Sequence, residues 1–202
     1  MNRRHLLGVL ALTSTTWLGT LPSPALAQGQ EISFGIISTE STANLKSTWQ
    51  PVLDDMHKAT GLTVKAFFAP DYAGVIEGMR FNKVQVAWMG NKSGMEAVDR
   101  ANAEIFARQS QPDGGTGYWS LMIVHKDSPL RTLDDVLKSR GTLTLGFGDP
   151  NSTSGTLVPG YYAFAQHKVD STKDFQRMVR ANHETNILAV AKRPLDSALV
   201  VC

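Results

Sequence analysis

The chain has 202 residues, of which 42% are hydrophobic and 19% are charged, and its formal net charge is +2. This small charge gives no support to binding of nucleic acid or of a membrane surface, and no nucleic-acid partner is expected. The single cysteine, Cys202, leaves no pair for a disulfide, so the stability of an exported chain has to come from packing.

The first 27 residues have the pattern of a secretory signal peptide. Arg3 and Arg4 give a basic start, an apolar stretch covers residues 6–21, and residues 25–27 form a small-x-small cleavage site. The stretch is too short and too polar to span a membrane, and its arginines fit general secretion better than twin-arginine export. We therefore predict an exported protein that is cleaved before Gln28, which leaves 18 basic residues against 18 acidic ones.

Up to residue 108, runs with strand character alternate with helical patterns. Strands are predicted at residues 32–37, 63–68, 84–89 and 104–108, and helices begin near Asn44, Asp71 and Gly94. Helices between consecutive strands favour a largely parallel sheet with right-handed crossovers. Ligands bind beyond the carboxyl ends of the strands in such sheets. The loops at 38–41, 70–72 and 90–93 fall at that edge.

A glycine-rich loop at residues 109–117 separates this series from a second one. The pattern then predicts strands at 118–125, 142–146, 175–179 and 195–201, and helices at 133–139, 156–167 and 182–192. Two α/β units joined by one long apolar strand predict two lobes that face each other across a cleft. We expect residues 28–124 to form the first lobe and residues 125–202 to form part of the second.

The run GFGDPNSTSG at residues 146–155 links a predicted strand to the first turn of a helix. Ser152, Thr153 and Ser154 therefore lie where backbone N–H groups have no partner within the helix. Free N–H groups, three hydroxyls and the positive end of a helix suit a phosphate-like oxyanion. Because Ser and Thr are also favoured as ordinary helix caps, these residues alone leave both interpretations open.

Three further side chains are candidates for such a site. Tyr72 lies at a predicted helix start, where its hydroxyl could donate to an oxyanion or its ring could simply cover the helix end. Tyr118 begins the strand that joins the lobes, where packing is the alternative. His183 also lies at a helix start, as either an exposed polar residue or a donor to the anion.

No pattern in the sequence predicts catalysis or a metal site. The histidines are isolated, and no spacing of His, Asp or Glu suits a metal ion. There is no G-x-S-x-G motif, no Walker loop with its lysine, and no recognisable nucleophile or acid–base pair. We therefore expect no enzyme activity, no metal and no cofactor, with a periplasmic hydrolase of phosphorus compounds as the alternative.

Several longer runs resemble the periplasmic phosphonate-binding proteins of ABC importers. They are FGIISTES at 34–41, FFAPDYAG at 67–74, GMRFNK at 78–83, MEAVDRA at 95–101, GYWS at 117–120, GDPNSTSG at 148–155 and HETN at 183–186. The resemblance implies a type II periplasmic binding protein, with two α/β lobes around a cleft. It also implies a monomer that delivers an alkylphosphonate, such as 2-aminoethylphosphonate, to a membrane permease. Phosphate or phosphite is the alternative ligand.

The resemblance also implies which residues contact the ligand. In that family a Ser-Thr-Ser run at a helix start, a histidine and two cleft tyrosines bind the phosphonate. The matching residues here are Ser152, Thr153, Ser154, His183, Tyr72 and Tyr118. After Ala191 the sequence departs from the family pattern, and two carboxylates that bind the ligand's amine have no counterpart. The expectation is therefore a truncated or frameshifted product with an incomplete second lobe and impaired binding.

Overall fold

The structure is a computed structural model that describes residues 30–201. The predicted signal peptide at 1–27 and the terminal Cys202 lie outside the described residues. The described part of the chain forms two α/β units, each built on its own sheet. No helix within it is long and apolar enough to cross a membrane.

The first sheet is parallel, as the sequence predicts. Its elements are β1 (Glu31–Ile36), α1 (Thr42–Thr60), β2 (Thr63–Phe68), α2 (Tyr72–Arg80), β3 (Val86–Trp88) and α3 (Asn91–Ala101). The strand order is β2-β1-β3, and β1 pairs in parallel with both neighbours. The apolar face of α1 buries Leu45 and Leu53 against Phe34 and Ile36 of β1. Because the three strands are parallel, the loops that follow them lie at one edge of the sheet.

The strand predicted at residues 104–108 does not form. Residues 102–119 contain no helix or strand, and the side chains of Ile105 and Phe106 are 64% and 78% exposed. An extended segment becomes a strand only when a neighbour pairs with its N–H and C=O groups. Within the described residues β3 pairs only with β1, so the apolar pattern of this segment has no partner strand.

The second sheet is mixed. Its elements are β4 (Ser120–Val124), α4 (Leu133–Ser139), β5 (Thr144–Phe147), β6 (Arg177–Arg180), α5 (His183–Ala191) and β7 (Ser197–Val201). The strand order is β4-β7-β5-β6, in which β5 is parallel to β6 and β7, whereas β4 is antiparallel to β7. Between β5 and β6 the chain forms two π-helical turns, Thr153–Leu157 and Gly160–Phe164, and a 3₁₀ turn, Ala165–His167.

The predicted end of the first lobe at residue 124 does not agree with this sheet. The register runs from Ser120 opposite Val201 to Val124 opposite Ser197, so β4 belongs to the second sheet. Its partner lies more than 70 residues further along the chain, and no local pattern reveals such a pairing. We propose that the boundary between the lobes lies within residues 102–119.

The core of the second lobe gives a test of the packing. Leu145 of β5 is fully buried among Leu143, Phe147 and Leu199. We expect Leu145→Ala to lower the free energy of unfolding by about 2–5 kcal/mol, because it removes buried methyl groups and leaves a cavity. Urea denaturation measures this. Leu157→Ala, at a half-exposed leucine, is the control and should change the free energy by about 0.5 kcal/mol or less. Equal losses in the two variants would contradict the prediction.

Candidate functional site

A cavity of about 1180 Å³ lies between the two lobes. Residues that follow the carboxyl ends of β1, β2, β3, β5 and β6, in loops or at helix starts, contribute to its lining, as expected for α/β sheets. The structure brings all six predicted site residues to this cavity, namely Tyr72, Tyr118, Ser152, Thr153, Ser154 and His183.

Ser152 caps the first π-helical turn. Its Oγ accepts a hydrogen bond from Gly155 N–H at 3.0 Å, and its carbonyl accepts from Leu157 N–H at 3.1 Å. The helical segment thus begins at Thr153, three residues before the predicted start, and with i→i+5 hydrogen bonds. Ser152 is an ordinary cap, yet its hydroxyl retains a proton that can be donated. The capping and anion-binding interpretations are therefore compatible.

Two glycines bring the ends of this loop into direct contact. Gly148 N–H donates to the carbonyl of Gly155 at 2.8 Å. A Cβ at Gly155 would lie 2.8 Å from the Cα of Gly148 and 3.1 Å from Cε1 of His183. No side chain fits between these backbones, so the glycines set the position of the Ser-Thr-Ser run against His183. The sequence marks them only as turn residues, and their contact depends on the fold.

His183 is buried at the first position of α5, rather than exposed as the alternative interpretation had it. Its backbone N–H donates to the carbonyl of Thr39 in the first lobe at 3.1 Å. Burial lowers the pKa of His183 below its ordinary value, and the carboxylate of Asp149 partly opposes that shift. Nδ1 has no hydrogen-bond partner among the described residues. Because an unpaired buried polar atom costs about 1–3 kcal/mol, this nitrogen is suited to a ligand.

The two tyrosines lie on the first-lobe side of the cavity and at its rim. Burial raises the pKa of Tyr72 well above its ordinary value, with the Ser152 hydroxyl partly opposing the shift, so the phenol stays protonated as a donor. Tyr118 is more exposed. A Cβ built on Gly90 would lie 3.6 Å from Tyr118 Oη and 3.4 Å from Thr153 Oγ1. Gly90 therefore borders the site, a position that sequence reasoning did not single out.

Hydrogen bonds donated by backbone N–H groups connect the lobes around the cavity. Ser41 N–H donates to Glu184 Oε2 (2.6 Å), Tyr72 N–H to Asp149 Oδ2 (3.1 Å), Lys92 N–H to Thr153 Oγ1 (2.8 Å) and His183 N–H to the Thr39 carbonyl (3.1 Å). The side chain of Asn44 adds a bond to Glu184 Oε1 at 2.7 Å. The two lobes are therefore in a closed arrangement.

The donors that converge here are hydroxyls and N–H groups that carry no charge at neutral pH. Such donors bind an oxyanion through several hydrogen bonds, each of about 1.5–3 kcal/mol when the acceptor is charged. Within residues 30–201, no group of three or more His, Cys, Asp or Glu is arranged to hold a metal ion. The geometry is that of an anion receptor built from neutral groups.

Residues 34–201 match the family model described as the periplasmic substrate-binding protein of phosphonate ABC transporters. The chain belongs to this family. It is 60% identical to the phosphonates-binding periplasmic protein of Escherichia coli K12, over 94% of this chain and 56% of that protein. It is 28% identical to the phosphate-import protein PhnD of Mycolicibacterium smegmatis, over 87% of this chain and 57% of that protein.

Solved structures show the family fold. A binding protein component of an ABC phosphonate transporter from Pseudomonas aeruginosa superposes with a TM-score of 0.85 at 57% identity, over 86% of this chain and 58% of that one. PhnD1 from Prochlorococcus marinus, in complex with methylphosphonate, superposes with a TM-score of 0.74 at 23% identity, over 85% of this chain and 63% of that one. The type II periplasmic binding fold is thus confirmed. The chain spans somewhat more than half the length of these phosphonate-family relatives.

Proposed function

We propose that this chain binds an alkylphosphonate between its lobes, as the periplasmic substrate-binding component of a phosphonate ABC importer. The observation that carries the proposal is the convergence of the six predicted residues on one cavity between the lobes, where the buried Nδ1 of His183 has no hydrogen-bond partner among residues 30–201. Membership of the family supports the substrate class. The permease of the importer is the proposed partner in the inner membrane.

The phosphonate group binds at the start of the helical segment that follows Ser152. Free N–H groups of its first turn and the hydroxyls of Ser152, Thr153 and Ser154 donate to the oxygens, and the helix end favours negative charge. Tyr72 and His183 complete the set from the two lobes, and Tyr118 closes the rim. Since the donors come from both lobes, the ligand stabilises the closed arrangement over an open one.

Phosphate and phosphite are the nearer competitors. Relatives named for phosphate import and for phosphite binding are 28% and 25% identical to this chain, whereas the phosphonates-binding relative is 60% identical. The higher identity favours phosphonate. A hydrolase would require an activated nucleophile, and within residues 30–201 none of the three hydroxyls at 152–154 hydrogen-bonds to His183.

Isothermal titration of the purified chain with 2-aminoethylphosphonate, methylphosphonate, phosphate and phosphite tests the proposal. We expect saturable binding of the phosphonates, tighter than that of the two inorganic anions, and no release of phosphate on incubation. Absence of phosphonate binding, or a preference for phosphate, would overturn the proposal. Turnover that is lost in His183→Gln would instead identify a hydrolase.

Gly90 offers a test that separates the site from the fold. Its backbone, with φ −79° and ψ 169°, accommodates alanine, and the atoms nearest an added Cβ lie at ordinary contact distances of 3.4–3.7 Å. We therefore expect Gly90→Ala to melt within about 2 °C of the wild type. Its methyl group would occupy space beside the Thr153 and Tyr118 hydroxyls, weakening methylphosphonate binding by about fivefold to 150-fold, from roughly 1–3 kcal/mol of crowding. Unchanged affinity by titration would contradict this placement of the ligand.

A further inference from the structure

Lys92, at the start of α3 in the first lobe, forms hydrogen bonds with one loop of the second lobe. Its backbone N–H donates to Thr153 Oγ1 at 2.8 Å. Its Nζ donates to the carbonyl of Pro150 at 2.7 Å and lies 3.4 Å from Oδ1 of Asn151. The same loop carries the proposed anion-binding hydroxyls. The sequence pattern places residues 90–93 at the ligand-binding edge of the sheet, but no motif distinguishes this lysine from its neighbours.

The backbone contact determines which way the Thr153 hydroxyl is polarised. A hydroxyl has one proton to donate and lone pairs that accept. Here a lone pair accepts the N–H of Lys92, and within residues 30–201 the Thr153 hydroxyl donates to no protein acceptor. The proton is therefore available to a ligand oxygen in the cavity that Thr153 lines. In the closed arrangement Thr153 acts as a donor, the role that an oxyanion requires.

The side-chain contact holds the loop in that position. The side chain of Lys92 is about one-quarter exposed, and Oε1 of Glu96 on the same helix lies 3.8 Å from its Nζ. A hydrogen bond from a charged group to a carbonyl stabilises a contact more than a neutral one does. Pro150 has a fixed φ and no N–H of its own, so its carbonyl is the group of that residue through which α3 can hold the loop.

We propose that Lys92 is a positioning residue. It couples closure of the lobes to the role of the Thr153 hydroxyl as a hydrogen-bond donor in the anion site. Its ammonium group holds the loop at residues 150–153 against the first lobe. Its backbone N–H then fixes the Thr153 hydroxyl as a donor toward the ligand. When the lobes separate, this N–H leaves Thr153, and the hydroxyl exchanges both roles with water. The inference rests on the proposed phosphonate-binding function.

The experiment compares Lys92→Met, which keeps the aliphatic stem but removes the charge, with Lys65→Met. Lys65 forms an exposed ion pair with Glu31 and serves as the matched control. Methylphosphonate affinity is measured by titration, and dissociation by stopped flow. We expect Lys92→Met to bind about tenfold to hundredfold more weakly, mainly through faster dissociation, as for the loss of a charge-assisted hydrogen bond. Lys65→Met should match the wild type.

A distance between the lobes gives a second measurement that needs no ligand. Asp55 and Lys173, whose side chains are 75% and 80% exposed, are replaced by cysteine in a Cys202→Ser background, and each cysteine is spin-labelled. We expect Lys92→Met to shift the ligand-free distance distribution toward longer, open distances, with Lys65→Met unchanged. Identical distributions in the wild type and Lys92→Met would overturn the proposal.

A double-mutant cycle tests the link to Thr153. Thr153→Val should weaken binding strongly in the wild type and less in the Lys92→Met background, because the two act on one hydrogen-bonded unit. Thr153→Ser, which keeps the hydroxyl, should restore most of the affinity. If the losses in binding free energy of Lys92→Met and Thr153→Val simply add in the double mutant, the two residues act independently and the proposed coupling is wrong. If the wild type binds no phosphonate, the proposed function fails, and the distance comparison still decides whether Lys92 holds the lobes together.

Discussion

Replacing Gly155 with alanine is expected to lower phosphonate affinity by more than a hundredfold. The added Cβ would lie 2.8 Å from the Cα of Gly148 and 3.0 Å from Oγ of Ser152. Backbone atoms at such distances have to separate, which displaces the Ser-Thr-Ser run from His183 and breaks the hydrogen bond between Gly148 and Gly155. Overpacking of this kind also destabilises a fold by about 1–3 kcal/mol. Titration calorimetry with methylphosphonate, alongside urea denaturation, measures the two effects.

Gly160→Ala is the matched control for this substitution. Gly160 lies in the next π-helical turn, and among the described residues no other atom lies within 4 Å of a Cβ added to it. We expect wild-type affinity and equal or slightly higher stability, because alanine restricts the unfolded chain more than glycine does. Wild-type affinity in Gly155→Ala would show that the contact between Gly148 and Gly155 does not position the site.

Substituting His183 with glutamine is expected to weaken phosphonate binding about tenfold to hundredfold near pH 6, and to remove part of its pH dependence. Burial lowers the pKa of His183 in the free protein, below its ordinary value of about 6.5. A bound oxyanion favours the imidazolium and raises that pKa. Binding therefore takes up a proton, and wild-type affinity should rise as the pH falls between the two values, by at most about tenfold per pH unit.

The free protein should show the opposite trend in stability. A histidine whose folded-state pKa is lowered makes its full contribution to the free energy of unfolding above about pH 6.5. That contribution is lost as the pH falls from 6.5 toward the lower folded-state pKa, since the unfolded chain then binds the proton first. Urea denaturation of the wild type and His183→Gln at pH 5 and 7.5 tests this.

The control for the affinity prediction is the ligand itself. Phosphonate protonation affects binding to both proteins alike. Identical pH profiles of phosphonate affinity in the wild type and His183→Gln would therefore exclude a role of His183 in binding the anion.

Local patterns in the sequence account for most of the first lobe and for the location of the site. The four-residue steps of Leu45, Trp49 and Leu53 predict α1, and strands that alternate with helices predict the parallel sheet. Since parallel strands place their carboxyl ends together, loops distant in sequence converge. That rule, with the family resemblance, brings Tyr72, Ser152 and His183 to one cavity.

Features that depend on distant partners were not predictable in this way. The pairing of Ser120 with Val201 determines the sheet to which β4 belongs, and nothing in residues 118–125 specifies it. Ile105 and Phe106 have strand character but no strand beside them in the described chain. The contact of Lys92 with Thr153 spans 61 residues. Local propensity indicates that a segment can form a strand, whereas pairing with a distant segment determines whether the strand forms.

Four of the backbone amides that donate from one lobe to the other have a consequence for how opening is observed. Ser41, Tyr72, Lys92 and His183 each lie at or beside a helix start, and the acceptor of each belongs to the opposite lobe. Separation of the lobes exposes these four protons to solvent while both hydrophobic cores stay intact. Their hydrogen exchange therefore reports the free energy of opening, independently of the larger free energy of global unfolding that governs the core amides of β1 and β5.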